Sequence, residues 1–224
     1  MQGIVDLHTH TFLSDGVLCP AELARRAEAA GYSALAITDH VDASNLPSVL
    51  AKLIAFHRDT QPYLNIRILP GIELTHIPPS QIASLVHKAR LLGAHLVLLH
   101  GETISEPVSP GTNKAGIEAG VDILAHPGLI SEEEVELAVK KGVFLEISAR
   151  PAHCYANGLL ASLAIKRNAH MVLNSDHHGP GDLLSEEKRV KVALGAGLSP
   201  FDLEKIDANM MSLVQGPSQT TKIV

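Results

Sequence analysis

The sequence predicts an α/β fold built on a parallel sheet of seven strands closed into a barrel. Three observations predict it. Short runs rich in Ile, Val and Leu alternate seven times with longer helix-like segments along the 224 residues, and strands that alternate with helices build a parallel sheet. The runs are apolar nearly throughout, as parallel strands covered on both faces are. Nearly every run ends in His, Asp or Glu. A closed α/β barrel gathers such ends at one mouth, whereas an open sheet spreads them along an edge.

The first strand, from Gly3 to Leu7, ends in His8-Thr9-His10, and a polar turn with Ser14-Asp15-Gly16 follows. Pro20 opens a helix that Gly31 stops, the usual places for these residues. The second strand, Ala34-Leu35-Ala36-Ile37, ends in Thr38-Asp39-His40, and a helix is expected over Pro47–His57. The third, Ile66-Arg67-Ile68-Leu69, leads through Pro70 to Gly71-Ile72-Glu73, with a helix over Ser80–Leu92. The fourth, Leu96–Leu99, ends in His100-Gly101-Glu102; a loop with Pro107, Pro110 and Gly111 and a short helix to Gly120 follow. The fifth, Val121–Ala125, ends in His126-Pro127-Gly128, and Ser131-Glu132-Glu133-Glu134 has the capping-box pattern of a helix start. The sixth, Val143-Phe144-Leu145, leads into Glu146-Ile147-Ser148, and a helix spans Asn157–Asn168. The seventh, Met171–Asn174, ends in Ser175-Asp176-His177-His178, and helices over Ser185–Ala196 and Pro200–Leu213 close the fold. Residues 1–215 are expected as one domain, and 216–224 as a polar tail.

Composition narrows the function. A net charge of −6 and a pI of about 6.1 give no basic stripe for a phosphate backbone. Aromatics at 3%, with no Trp, give no stacking platform for bases. The expected partner is a small molecule, with no nucleic acid and no membrane. Cys19 and Cys154 form no metal-binding pair or disulfide framework. No apolar run is long enough to span a bilayer and the N-terminus lacks a signal-peptide pattern, so a cytoplasmic location is expected.

The chain has 13 histidines. His8 and His10 lie two residues apart on a strand end, so they point the same way with Cα atoms roughly 6.5–7 Å apart. Two imidazoles at that spacing can grip one metal ion. The strand ends add Asp15, His40, Glu73, His100, His126, Asp176 and His178. Alternation puts Asp176 and His178 on one face and turns His177 away, as a packing or supporting residue. It also aims Asp6 with His8 and His10, and Asp39 adjoins His40, so both are candidates to support a ligand from behind.

Six imidazoles and three carboxylates exceed the needs of one ion. A set with no thiolate suits catalytic Zn, Mn or Fe, and two or three ions bridged by a carboxylate fit the number, with Glu73 as the natural bridge. Three divalent ions bring about +6 against −3 from Asp15, Glu73 and Asp176; the remaining charge of about +3 matches a phosphomonoester dianion plus a metal-bound hydroxide. Arg150 and Lys114 are candidate phosphate contacts, His153 a candidate general acid, and Glu102 a candidate anion for a substrate ammonium.

The ordered motifs resemble the PHP (polymerase and histidinol phosphatase) family: His8-Thr9-His10 with Ser14-Asp15-Gly16, Thr38-Asp39-His40, Gly71-Ile72-Glu73, His100, His126-Pro127-Gly128, Leu145-Glu146-Ile147 and Ser175-Asp176-His177-His178. The resemblance implies a distorted seven-stranded (β/α) barrel and a trinuclear metal site. It implies one ion on His8, His10, Glu73 and Asp176, a second on Glu73, His100 and His126, and a third on Asp15, His40 and His178. Glu146 is not a ligand in that pattern and is expected behind the ligands or against Arg150. The reading is a metal-dependent phosphatase of the histidinol-phosphatase-related kind, using three divalent ions (Zn, Mn or Fe) on a small phosphorylated metabolite. The alternatives are a nucleotide phosphoesterase, an amidohydrolase-type hydrolase and a non-catalytic metal-binding domain.

Overall fold

The computed structural model describes residues 3–216. Beyond Gly216, the expected tail lies outside the described residues.

Eight strands form the sheet: β1 (Ile4–Asp6), β2 (Tyr32–Ile37), β3 (His40–Val41), β4 (Arg67–Leu74), β5 (Leu96–His100), β6 (Ile123–Ala125), β7 (Phe144–Ser148) and β8 (Met171–Asn174). The order is β1-β2-β4-β5-β6-β7-β8, all parallel, with β3 paired only to β4. The seven-stranded reading therefore holds, with β3 as a short continuation of β2. The helices are α1 (Pro20–Ala29), α2 (Leu46–Thr60), α3 (Pro79–Leu91), α4 (Thr112–Ala119), α5 (Glu132–Lys141), α6 (Asn157–Arg167), α7 (Glu186–Gly195) and α8 (Pro200–Gln215). The capping box expected at Ser131 starts α5, and a second one at Ser199 and Asp202 starts α8.

Pro70 does not end its strand. β4 runs through it, pairing with β2 up to Ile37↔Pro70 and with β3 from His40↔Glu73. A proline removes one ladder donor, and here it falls where β4 changes partner, so the missing N–H costs little. Between β2 and β3, Thr38 swings toward the first strand: its N–H donates to the Thr9 carbonyl at 2.8 Å, and its Oγ1 accepts from Thr9 N at 3.1 Å. This partner switch makes the barrel irregular.

The seam between β1 and β8 is nearly closed. It holds one parallel bridge, Thr9↔His177, and His10 N donates to the His177 carbonyl at 2.8 Å. Side chains complete it. Asn174 Oδ1 accepts from Leu7 N at 2.9 Å, and Asp6 Oδ1 accepts from the backbone N–H of Ser175 at 3.2 Å and of His8 at 3.3 Å. Asp6 was expected to orient a histidine ring; it ties the two strand ends together instead. Burial pushes its carboxyl up to about 6.

The core is aliphatic, as the composition requires. Leu35, Ile37, Ile72, Leu98, Leu99, Leu145 and Leu173 are fully buried. No described helix is long and apolar enough to cross a membrane.

One close approach fixes the mouth. Gly128, with φ +62°, lies so near the Glu102 carbonyl that a Cβ would overlap its oxygen. Backbone meets backbone there, so no side chain can yield. Gly128→Ala is expected to lose at least ~3 kcal/mol from the overlap and the positive φ together, a fall of roughly 6–12 °C in melting temperature. A shift under 3 °C in a thermal melt would contradict this account.

Candidate metal centre

The strand ends gather the candidate ligands. His8 and His10 follow β1, Asp15 sits on the next loop, and His40 begins β3. Glu73 lies in β4, His100 ends β5, His126 follows β6, and Asp176 and His178 follow β8. Two of these residues take left-handed backbone, His126 at φ 29° and Asp176 at φ 52°. Each costs about 1–3 kcal/mol in a residue other than glycine. At both points the chain leaves a strand and the turn re-aims the side chain into the mouth.

Glu73 is the hub. Its Oε2 lies 3.2 Å from His8 Nε2, 3.5 Å from His10 Nε2 and 2.9 Å from His40 Nδ1. Its Oε1 lies 3.5 Å from His126 Nε2 and 3.8 Å from His100 Nδ1. Asp176 Oδ1 is 3.4 Å from His10 Nε2 and 3.8 Å from His8 Nε2. Asp15 is half exposed and bridges two rings, with Oδ1 3.5 Å from His40 Nε2 and Oδ2 3.2 Å from His178 Nε2. All nine residues thus converge, in three groups that share Glu73 or adjoin His10.

Burial and mutual proximity set the charge states. Burial opposes ionisation of Glu73, but His8, His40 and His100 around it hold its carboxyl well below the ordinary value. Asp176, also opposed by burial, is held down by His8 and His10. Burial lowers His8 as well, yet Glu146, Glu73 and Asp176 raise it well above the usual histidine value. His40 rises to about 10 against burial, through Glu73 and Asp15. His10 falls to about 3, through burial and then the neighbouring His40.

The supporting residues are buried behind this cluster. Glu146 Oε2 lies 2.7 Å from His8 Nδ1 and accepts from Asn174 Nδ2 at 2.9 Å. With Nδ1 directed at Glu146, Nε2 is the His8 nitrogen that faces the centre. Glu146 therefore supports His8, and Arg150 goes elsewhere. Asp39 directs its carboxylate away from the His40 ring. Its oxygens accept from Thr11 N, Thr11 Oγ1 and Ser14 Oγ, each at 2.8 Å, which fixes the loop that carries Asp15. His177 is buried, and neither of its ring nitrogens has a hydrogen-bond partner among the described residues; its backbone serves the seam.

At the rim, Arg150 Nη1 donates to the Asp176 carbonyl at 3.1 Å and lies 2.7 Å from His178 Nδ1. Its Nε lies 3.8 Å from Asp176 Oδ2, and the side chain is 30% exposed. His153 stands inside the cluster, with Nδ1 3.1 Å from Asp176 Oδ2. Glu102 is committed to the backbone. Its Oε1 accepts from Gly111 N at 3.0 Å and Asn113 N at 2.9 Å, capping the start of α4. Lys114 is exposed on α4 and forms no ion pair among the described residues.

Two residues that sequence reasoning missed also belong here. Glu106 lies 2.8 Å from His100 Nε2 and 3.1 Å from His153 Nε2, and His76 Nε2 lies 3.3 Å from Glu106 Oε2. Glu106 sits in a loop without period. Strand alternation from Glu73 turns His76 away from the centre, and only its φ of 52° brings it back.

The donor atoms fit metal ions. His8 Nε2, both His10 nitrogens, both Glu73 oxygens, His100 Nδ1 and Asp176 Oδ2 are buried without a hydrogen-bond partner among the described residues. Unpaired buried polar atoms are costly and rare. These converge within a few ångströms and are all imidazole or carboxylate, the donor set of divalent Zn, Mn or Fe.

Comparison with known proteins supplies the context. The PHP domain model matches residues 6–140. An uncharacterized protein of Methanocaldococcus jannaschii is 45% identical over 201 residues, covering 89% of this chain and 92% of that protein. The DNA polymerase/3'-5' exonuclease PolX of Bacillus subtilis is 28% identical over 203 residues, and the match covers 77% of this chain but 34% of the polymerase. Among solved structures, the histidinol phosphate phosphatase of Lactococcus lactis, complexed with zinc, L-histidinol and phosphate, has a TM-score of 0.56 at 17% identity, covering 88% of this chain and 95% of that one.

Proposed function

This chain belongs to the PHP domain family of metal-dependent phosphoesterases, and from that premise we propose that it hydrolyses a small phosphomonoester at a centre of three divalent ions. The observation that carries the reading is the hub: a buried, ionised Glu73 with two unpaired oxygens, ringed by histidines that present unpaired nitrogens. His8, His10, Glu73 and Asp176 would hold one ion, Glu73, His100 and His126 a second, and Asp15, His40 and His178 a third. When bound, such ions supply Lewis-acid charge neutralisation and lower the pKa of a water.

The chain's own residues do the rest. Glu146 holds the His8 tautomer, and Asp39 holds the Asp15 loop. Arg150 is anchored on the Asp176 carbonyl and its side chain is part exposed, which suits it to a phosphate oxygen beside the proposed ligands. A net charge of −6 favours a compact dianion over a polynucleotide, which needs a basic track. The phosphate bound by the histidinol phosphate phosphatase of like fold is consistent with this choice.

The test is phosphate release by protein reconstituted with Zn, Mn or Fe. Substrates would include histidinol phosphate, other amino-alcohol phosphates and nucleoside monophosphates, with bis(p-nitrophenyl) phosphate and a short oligonucleotide as diesters. Turnover of a monoester at least tenfold above any diester is expected. A diester preference would replace the reading with a nucleotide phosphodiesterase, of the kind the PolX relationship suggests. No turnover at full metal content would end it. Arg150→Ala is expected to raise KM for the best monoester by about 10–100-fold, the value of a charge-assisted phosphate contact, with Arg150→Lys recovering part of it. An unchanged KM would remove Arg150 from substrate binding.

A further inference from the structure

We propose that Glu106 is a positioning residue that sets the proton positions of two histidines, and that His153 is thereby a further metal ligand, acting through Nδ1. The proposal rests on the metal-centre reading above and deepens it.

The geometry runs from one carboxylate. Glu106 Oε2 is 2.8 Å from His100 Nε2, and Glu106 Oε1 is 3.1 Å from His153 Nε2. An ionised carboxylate can only accept, so each ring keeps a proton on Nε2 and donates it to Glu106. The lone pair of each ring is then on Nδ1. Both Nδ1 atoms are buried without a hydrogen-bond partner.

Each Nδ1 faces a carboxylate oxygen that also lacks a partner. His100 Nδ1 is 3.8 Å from Glu73 Oε1, and His153 Nδ1 is 3.1 Å from Asp176 Oδ2. Two lone-pair atoms at 3.1 Å repel unless a cation stands between them. A proton would fill that place in the metal-free chain and a metal ion in the loaded one, since neighbouring ligands of one ion, with bonds of about 2.0–2.1 Å, lie at such separations. His126 joins the two sides, with Nε2 3.5 Å from Glu73 Oε1 and 3.8 Å from Asp176 Oδ2. Its ring packs edge-on to His153 with centroids 4.1 Å apart. His100, His126, Glu73, Asp176 and His153 thus form one connected set of donor atoms.

This assignment replaces the general-acid role expected of His153. A general acid must show an N–H to the leaving group, and His153 directs Nε2 at Glu106 and Nδ1 at Asp176. The ring is held in place by the turn at His153–Ala156, entered through Ala152 at φ 72°.

The experiment is long-range proton–nitrogen NMR of the histidine rings in the full chain, titrated with zinc alone. On loading, Nδ1 of His100 and His153 should both move to metal-bound shifts while Nε2 stays protonated on each. His153→Ala and Glu106→Gln should each weaken the zinc held by His100 and His126 by about 10–100-fold, read by metal content against a chelator series, and leave the ion on His8 and His10 in place. The Gln amide would present an N–H to one of the two rings and force it to the opposite tautomer. Circular dichroism checks that the variants fold, and if either does not, the wild-type spectrum decides alone. A His153 Nδ1 shift that does not move while the other rings do would overturn the proposal and leave the metal centre standing. No zinc bound to the wild type, with no ring shifting, would overturn the metal centre and this proposal with it.

Discussion

Glu73→Gln is expected to reduce turnover of the best phosphomonoester by at least about 10³-fold while leaving the barrel folded. Both Glu73 oxygens are engaged, Oε2 toward His8 and His10 and Oε1 toward His100 and His126. A glutamine keeps the volume but replaces one oxygen with an NH₂ group. That group cannot ligate, and it turns N–H donors toward the place of a cation. It also removes the negative charge shared by two of the three proposed ions, so both are weakened by one substitution. Loss of about 4 kcal/mol of transition-state stabilisation corresponds to roughly 10³-fold in rate. The fold survives because the strand ladders on both sides of β4 are backbone bonds. The combined readout is turnover, metal content and a thermal melt. Turnover within tenfold of wild type at full metal content would remove Glu73 from its bridging role.

The candidate cluster was legible because strand geometry brings these side chains together. His8 and His10 share a face by alternation, and convergence of parallel strand ends does the rest. Met171–Asn174 and the capping box at Ser131 also appear where sequence reading puts them. The misreadings share a cause: sequence spacing gives the direction of a side chain but not the atom it meets. Asp6 points toward the histidines, yet its oxygens take backbone N–H groups across the seam. Asp39 adjoins His40, yet it serves the loop of Asp15. Glu146 finds His8 across 138 positions, a pairing that only barrel closure creates. Glu106 had no signal at all, because a loop acid between Ser105 and Pro107 has neither period nor motif. The expected third strand stops at Leu69, before Pro70; β4 runs on through Pro70 because it changes partner at that residue.

Chelation of the ions is expected to lower the melting temperature by about 10 °C or more, reversibly, and by an amount that grows with pH. An ion that binds only the folded chain stabilises it by about 4 kcal/mol at a thousand times its dissociation constant, and each kcal/mol is roughly 2–4 °C at this size. Without ions, protons take their place. His40 holds one up to about pH 10, and His8 lies well above the ordinary value. A histidine whose folded pKa exceeds its unfolded one adds stability that is complete below about 6.5 and is lost as pH rises through the folded value. The metal-free protein should therefore weaken between about pH 6.5 and 10, the same range in which proton competition with the ions for these nitrogens fades. The depressed carboxylates Glu73 and Asp176 act below the ordinary carboxylate range, outside that window, and do not offset the trend. Paired thermal melts of loaded and chelated protein at pH 6.5, 8 and 9.5 measure the gap. A gap that stays constant or narrows with pH would mean that protons do not stand in for metal at this cluster.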